Sequence, residues 1–180
     1  MFDLNYSSID SYDIVPEGVY ECVISNAGIH TTQSGAMSCS FTLTIRNDVE
    51  QAQQNRTMFL NVWKKKEPNS ADMQVEGFNF SQLMNIAKSA QIPDGEKFDS
   101  LNQFLAALVD RCLRVKVTHR IYNGEKQLNI DQIRGVTRTA FPDCKHKKKE
   151  ANRPQDTFAN QNSGDLSDFE EIISDDKLPF

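Results

Sequence analysis

The dipeptide Asn123-Gly124 is the tightest constraint in the sequence, because it sits between two runs of strand-forming residues and favours a two-residue type I′ turn that fixes pairing register. A turn there pairs Tyr122 with Glu125. Counting back, His119 faces Leu128 and Val117 faces Ile130 on one side, while Arg120 faces Gln127, Thr118 faces Asn129 and Lys116 faces Asp131 on the other. The first side is the apolar one, so His119 reads as a hydrogen-bonded core histidine. Further along, Gln132 falls on the apolar side and Ile133 on the polar side, and the count therefore predicts a β-bulge near residues 131–132.

Three strands are expected upstream. Residues 19–27 read as a strand of mixed character, followed by the polar loop GIHTTQSG. Met37, Cys39, Phe41, Leu43 and Ile45 then alternate with polar neighbours, the period-two pattern of a strand with one wet face. In residues 56–63, Met58, Leu60 and Val62 share one face while Phe59, Asn61 and Trp63 share the other. The period changes at Phe80, Leu83, Met84 and Ala87, which fall at helical spacing behind a capping Asn79, and Leu101, Phe104, Leu105 and Leu108 repeat the pattern. From Thr139 onward apolar periodicity stops.

The order strand, strand, strand, helical segment, strand, strand predicts a mainly β fold with a helical insertion between strands 3 and 4. That is the order of the five-stranded OB barrel, which takes oligonucleotides across strands 2 and 3 and in the adjoining loops. Binding a single strand without sequence preference needs a positive track for phosphates and flat rings for bases. Strand 3 offers Phe59 and Trp63 opposite its aliphatics, with Arg56 before them and Lys64, Lys65 and Lys66 after. Strand 4 offers Arg114, Lys116, Arg120 and Tyr122 on its polar side, and the hairpin adds Lys126. These residues are the expected DNA-binding set.

Charge divides the chain. Residues 151–180 hold seven acids against two bases, so the whole formal charge of −5 lies there, while residues 111–150 carry eleven bases against four acids. A locally basic body suits a polyanion. The four cysteines form no C-x-x-C pair and share no ligand spacing with the three histidines, so neither zinc nor a disulfide framework is expected and free thiols point to a reducing cytoplasm. The first ten residues lack the basic and apolar regions of a secretory signal, and no apolar run approaches membrane-spanning length.

The expected organisation is an OB-fold single-stranded DNA-binding domain over 1–139, a disordered Asn/Gln/Pro-rich linker over 140–167, and an acidic tip over 168–180. The tip, DFEEIISDDKLPF, resembles the C-terminal tip of bacterial and phage single-stranded DNA-binding proteins. The resemblance implies that Leu178, Pro179 and Phe180 enter an apolar pocket on a partner protein while Asp175 and Asp176 face a basic rim. The body, from VPEGVYECVI through FSQLMNIAKSAQIP to RCLRVKV and YNGEKQLNI, is similar to a phage family found among replication and recombination genes. Lys177 departs from the tip pattern, and the body does not follow the usual bacterial aromatic pattern.

Together these readings predict a single-stranded DNA-binding protein of phage replication, recombination or repair, with no cofactor or metal, that recruits replication or recombination proteins through its tip and acts as a monomer or homo-oligomer in the host cytoplasm. The rival reading is a recombination mediator or annealing accessory that works through protein contacts. Catalysis is not expected, because the carboxylates are scattered in loops rather than clustered on adjacent strand ends.

Overall fold

A computed structural model describes residues 14–148 of the chain. Its framework is one open antiparallel sheet of six strands: β1 (Gly18–Thr31), β2 (Met37–Ile45), β3 (Thr57–Trp63), β4 (Cys112–Tyr122), β5 (Glu125–Ile130) and β6 (Val136–Arg138). Helices α1 (Ser70–Met73), α2 (Phe80–Ser89) and α3 (Leu101–Leu108) all lie between β3 and β4. The sheet runs β3-β2-β1-β4-β5, with β6 paired to β4 beyond the end of β5.

Period-two alternation builds the core. Cys39, Phe41, Leu43 and Ile45 of β2 are fully buried with Met58, Leu60 and Val62 of β3, and with Leu113, Val115 and Val117 of β4. The helices close this layer. Asn79 caps α2 by accepting from the Gln82 backbone N–H, as its spacing predicts. Leu83 and Ile86 of α2 and Leu101, Phe104, Leu105 and Leu108 of α3 face the sheet interior. Helix α1, which has no apolar stripe to announce it, is held by a capping box between Asn69 and Asp72.

The hairpin register follows the Asn-Gly turn. Tyr122 pairs with Glu125, Arg120 with Gln127, His119 with Leu128 and Val117 with Ile130, and both turn residues take positive φ, 51° at Asn123 and 79° at Gly124. His119 is half-buried and its Nε2 lies 2.8 Å from the Val15 carbonyl oxygen.

Several expectations are corrected. Strand β1 extends to Thr31, because Gly28 to Thr31 of the expected polar loop join the β2 ladder opposite Ser40 to Met37; backbone pairing, not apolar content, holds them. Lys116 does not face Asp131: its N–H donates to the Gly135 carbonyl at 2.7 Å. In place of a bulge at residues 131–132, β5 ends and the chain makes a turn closed by Gly135 N–H on the Asp131 carbonyl at 2.9 Å. It then rejoins the same edge as β6, so that Val115 pairs with Val136 while Val117 pairs with Ile130. The sheet thus has a sixth strand beyond the five expected.

Residues 140–148, read from the sequence as the start of the linker, lie along the body as an extended strap. Arg46 of the β2 end is fully buried beneath it and uses all five of its N–H donors. Two go to the Asp48 carboxylate at 2.9 and 2.6 Å, and the others reach Thr139 Oγ1, the Phe141 carbonyl and the Asp143 carbonyl. The strap also carries Cys144, which is disulfide-bonded to Cys112 with the Cα atoms 6.3 Å apart. This corrects the reading of four free thiols, since a pairing across 32 residues leaves no local spacing signal; cysteine usage therefore no longer argues for a reducing compartment. Cys22 and Cys39 are free and buried, and burial raises both thiols, Cys39 to about 12. The chain divides after Lys148, and the rest of the linker and the tip lie outside the described residues.

Candidate nucleic-acid interface

The two edges of the sheet, β3 and β5, border a cleft of about 510 Å³. Phe59 and Trp63 line it from β3, and they are exposed, at 63% and 46% of their surfaces. They are therefore not a second small core beneath the helices. Residues of one strand face repeat about every 6.8 Å, which sets the two positions roughly 14 Å apart with Asn61 midway. Their cross-strand neighbours on β2, Thr42 and Ser38, are small, so neither ring is shielded by a bulky partner on that side.

Lys64, Lys65 and Arg120 supply the charge, and no carboxylate of the described residues lines the cleft. The three cations are not equivalent. Lys65 Nζ is committed to Asp72 at 2.8 Å, and Lys64 lies 5.8 Å from the Phe78 ring centre. Arg120 is exposed at the far wall. Asp72 anchors the neighbouring chain: its carboxylate also accepts from the Asn69 and Phe80 N–H groups, at 3.0 Å each. The Lys65 contact first, and then those backbone donors, hold its carboxyl well down, at about 2. Lys65 thereby ties the end of β3 to the start of α2 and contributes less as a free cation.

One polar contact crosses the cleft from the β5 side. Gln132 Nε2 donates to the Asn61 carbonyl of β3 at 2.9 Å. The turn that presents Gln132 is itself gripped by α2, whose Asn85 amide donates to the carbonyls of Gln132, Ile133 and Val136.

The structure thus gathers Phe59, Trp63, Lys64, Lys65 and Arg120 of the expected set along one cleft. Arg56, Lys66, Arg114, Lys116, Tyr122 and Lys126 are not part of that lining. Arg56 donates to Gln53 at 2.7 Å. Arg114 is paired at 2.7 Å with the buried Glu21, which also accepts from Thr139 at the strap, so its role is structural. Lys66, Lys116, Tyr122 and Lys126 are exposed elsewhere. Asp175, Asp176, Leu178, Pro179 and Phe180 lie outside the described residues.

The sequence reading missed the amides. Asn61, Asn79, Gln82, Asn129 and Gln132 line the cleft. Period-two alternation already placed Asn61 between the two rings, and the hairpin register placed Asn129 on the polar side, but amides carry no charge to draw attention. Among the described residues no group of three His, Cys, Asp or Glu side chains is placed to hold a metal ion, and no helix is long and apolar enough to cross a membrane.

An antiparallel sheet with helices inserted between its third and fourth strands, bearing a cleft with exposed rings and, among the described residues, cationic but no acidic side chains, defines the class of this protein. Residues 2–155 match the family described as "Protein of unknown function (DUF669)", and the chain belongs to that family. The match ends before the acidic stretch at 168–180. No curated protein matches the chain.

Proposed function

We propose that this protein binds single-stranded DNA in the cleft between β3 and β5, without a required sequence, and recruits partner proteins through its acidic tip. The observation that carries the reading is the pair of exposed rings, Phe59 and Trp63, on one strand of a cleft that the described residues line with cations and no acids. Rings give sequence-tolerant stacking and cations give phosphate attraction.

The proposed architecture is an OB barrel whose seam is the β3–β5 cleft. The strand order, with the edge strands β3 and β5 bordering one cleft and Gln132 reaching Asn61 across it, supports that reading. The proposed setting is replication or recombination of phage DNA in the host cytoplasm. Leu178, Pro179 and Phe180 supply an apolar anchor for a partner, and Asp175 and Asp176 add long-range attraction to a basic rim. A polyanionic tail on the same chain as a cationic cleft also competes with DNA.

The test is fluorescence anisotropy with a labelled dT oligonucleotide across a salt series, comparing the full chain with one truncated after Asp165. Both should bind, the truncated chain more tightly, with log K falling as log salt rises. Trp63→Ala should weaken binding by about 1–3 kcal/mol. If neither chain binds at low salt, the single-strand reading of the body is wrong, and the mediator acting through protein contacts takes its place.

A further inference from the structure

The turn that Asn85 grips lines a second groove as well as the cleft, and the inference this groove carries rests on the single-strand reading and extends it. The groove, of about 520 Å³, lies where α2 meets β6. Both of its walls continue from the cleft. Along α2, Gln82 lines the cleft while Asn85, Lys88 and Ser89 line the groove; along the turn, Gln132 lines the cleft while Ile133 and Val136 line the groove. The walls are fastened to each other, since the Ser89 hydroxyl and the Asn85 amide both donate to the Val136 carbonyl, at 3.3 and 3.1 Å. Lys88 follows Gln82 by six residues, a rise of about 9 Å, which two or three stacked nucleotides span.

The groove repeats the electrostatics of the cleft. Lys88 and Arg138 line it, both exposed, and no carboxylate of the described residues does. Neither side chain forms an ion pair or a hydrogen bond among the described residues. Arg111 places a third cation alongside, its Nη1 lying 3.4 Å from the carbonyl of Gln91 in the lining. Asp131 of the turn lines neither cavity, and its carboxylate accepts from the Ile133 and Arg134 N–H groups. The two lining cations differ in commitment. Lys88 stands in the last turn of α2, where it complements the helix dipole, and also borders a neighbouring pocket with Asp94 and Glu96. Arg138 has no such second engagement, and its fork of donors suits a phosphate.

We infer that Arg138 and Lys88 form a phosphate-binding subsite through which a single strand held on Phe59 and Trp63 continues past the turn at residues 131–135. The cleft supplies the stacking and the groove supplies charge to the backbone beyond it. Affinity therefore grows with strand length past the point at which the cleft alone is filled.

The experiment measures anisotropy with labelled dT oligonucleotides of about 4 to about 16 nucleotides, using the full chain and the variants Arg138→Gln, Lys88→Gln and Lys97→Gln. Lys97 is an exposed cation outside both linings and controls for the loss of one charge. The Arg138 and Lys88 side chains bond nothing among the described residues, so their variants should fold, which a urea denaturation midpoint checks. The shortest oligonucleotides should bind wild type and Arg138→Gln alike. The longest should bind the variant several-fold more weakly, with a salt slope smaller by about 0.7. Lys88→Gln should act in the same direction with a smaller loss. A loss that is equal at every length, or no larger than that of Lys97→Gln, overturns the subsite and leaves the single-strand reading standing. Absence of binding to any oligonucleotide overturns both.

Discussion

Arg46 shows how far one residue's environment departs from its pattern. In the alternation of β2 it follows Ile45 on the wet side, yet it is among the largest fully buried side chains, because the strap folds over it. Removing it takes the guanidinium from the Asp143 carbonyl, from the Phe141 carbonyl, which keeps Thr139 Oγ1, and from the Asp48 carboxylate, which keeps the Lys145 N–H. Arg46→Ala should therefore cost about 3 kcal/mol, read as a lower urea midpoint, and Arg46→Lys should recover little, since an ammonium cannot reproduce the five-donor fork. The same pair sets an acid limit. The Arg46 guanidinium, more than any other group, holds the Asp48 carboxyl at about 2, below its ordinary 3.8. A depressed carboxylate stabilises the fold fully above its unfolded value and loses that contribution as pH falls from about 3.8 toward 2. Asp48→Asn should be less stable at neutral pH and should show a flatter stability profile across that window.

At the scale of elements, the sequence was legible wherever periodicity or a turn carried the information. Strands β2 and β3 follow from alternation, α2 and α3 from helical spacing, and the β4–β5 register from Asn123 and Gly124. The turn between β5 and β6 was not legible, because its signals are local and polar. Asp131 accepts from the Ile133 and Arg134 N–H groups, both at 2.8 Å, and these donors lower its carboxyl pKa. Gly135 closes the turn, where a Cβ would sit 2.8 Å from the Asp131 carbonyl oxygen and 2.9 Å from its nitrogen. Both neighbours are backbone and cannot step aside cheaply. Gly135→Ala should cost about 1–3 kcal/mol. On the proposed single-strand reading it should also weaken oligonucleotide binding, because the same turn presents Gln132 to β3 and carries the carbonyls that Asn85 grips. Gly124→Ala, strained at positive φ but remote from the cleft lining, is the control: it should lower stability with a smaller effect on binding.

For the molecule as a whole, what the sequence could not disclose is closure by the strap. Residues 140–148 look like linker because they are polar and charged, and their attachment depends on partners far away in sequence: Asn47, Asp48, Asp110 and Cys112. His146 belongs to the same seam. Its Nδ1 accepts the Asn47 N–H at 3.2 Å, and burial lowers its pKa. Two kinds of attachment therefore act in parallel, a covalent one at Cys144 and a polar seam in which Arg46 makes the buried contacts and Asn47, Asp48 and Asp110 the exposed ones, and they can be separated. A cross-link enclosing 32 residues restricts the unfolded chain by about 3–4 kcal/mol. Cys144→Ser should lower the urea midpoint of the non-reduced protein by that order. A thiol reductant should lower wild type to the level of the variant and leave the variant unchanged. In the Arg46→Ala background the strap keeps the disulfide and only the exposed contacts at Asn47, Asp48 and Asp110, so reduction should then make residues 140–148 more susceptible to proteolysis than in reduced wild type, where Arg46 still holds them. A wild-type midpoint indifferent to reductant would mean that the polar seam alone fastens the strap.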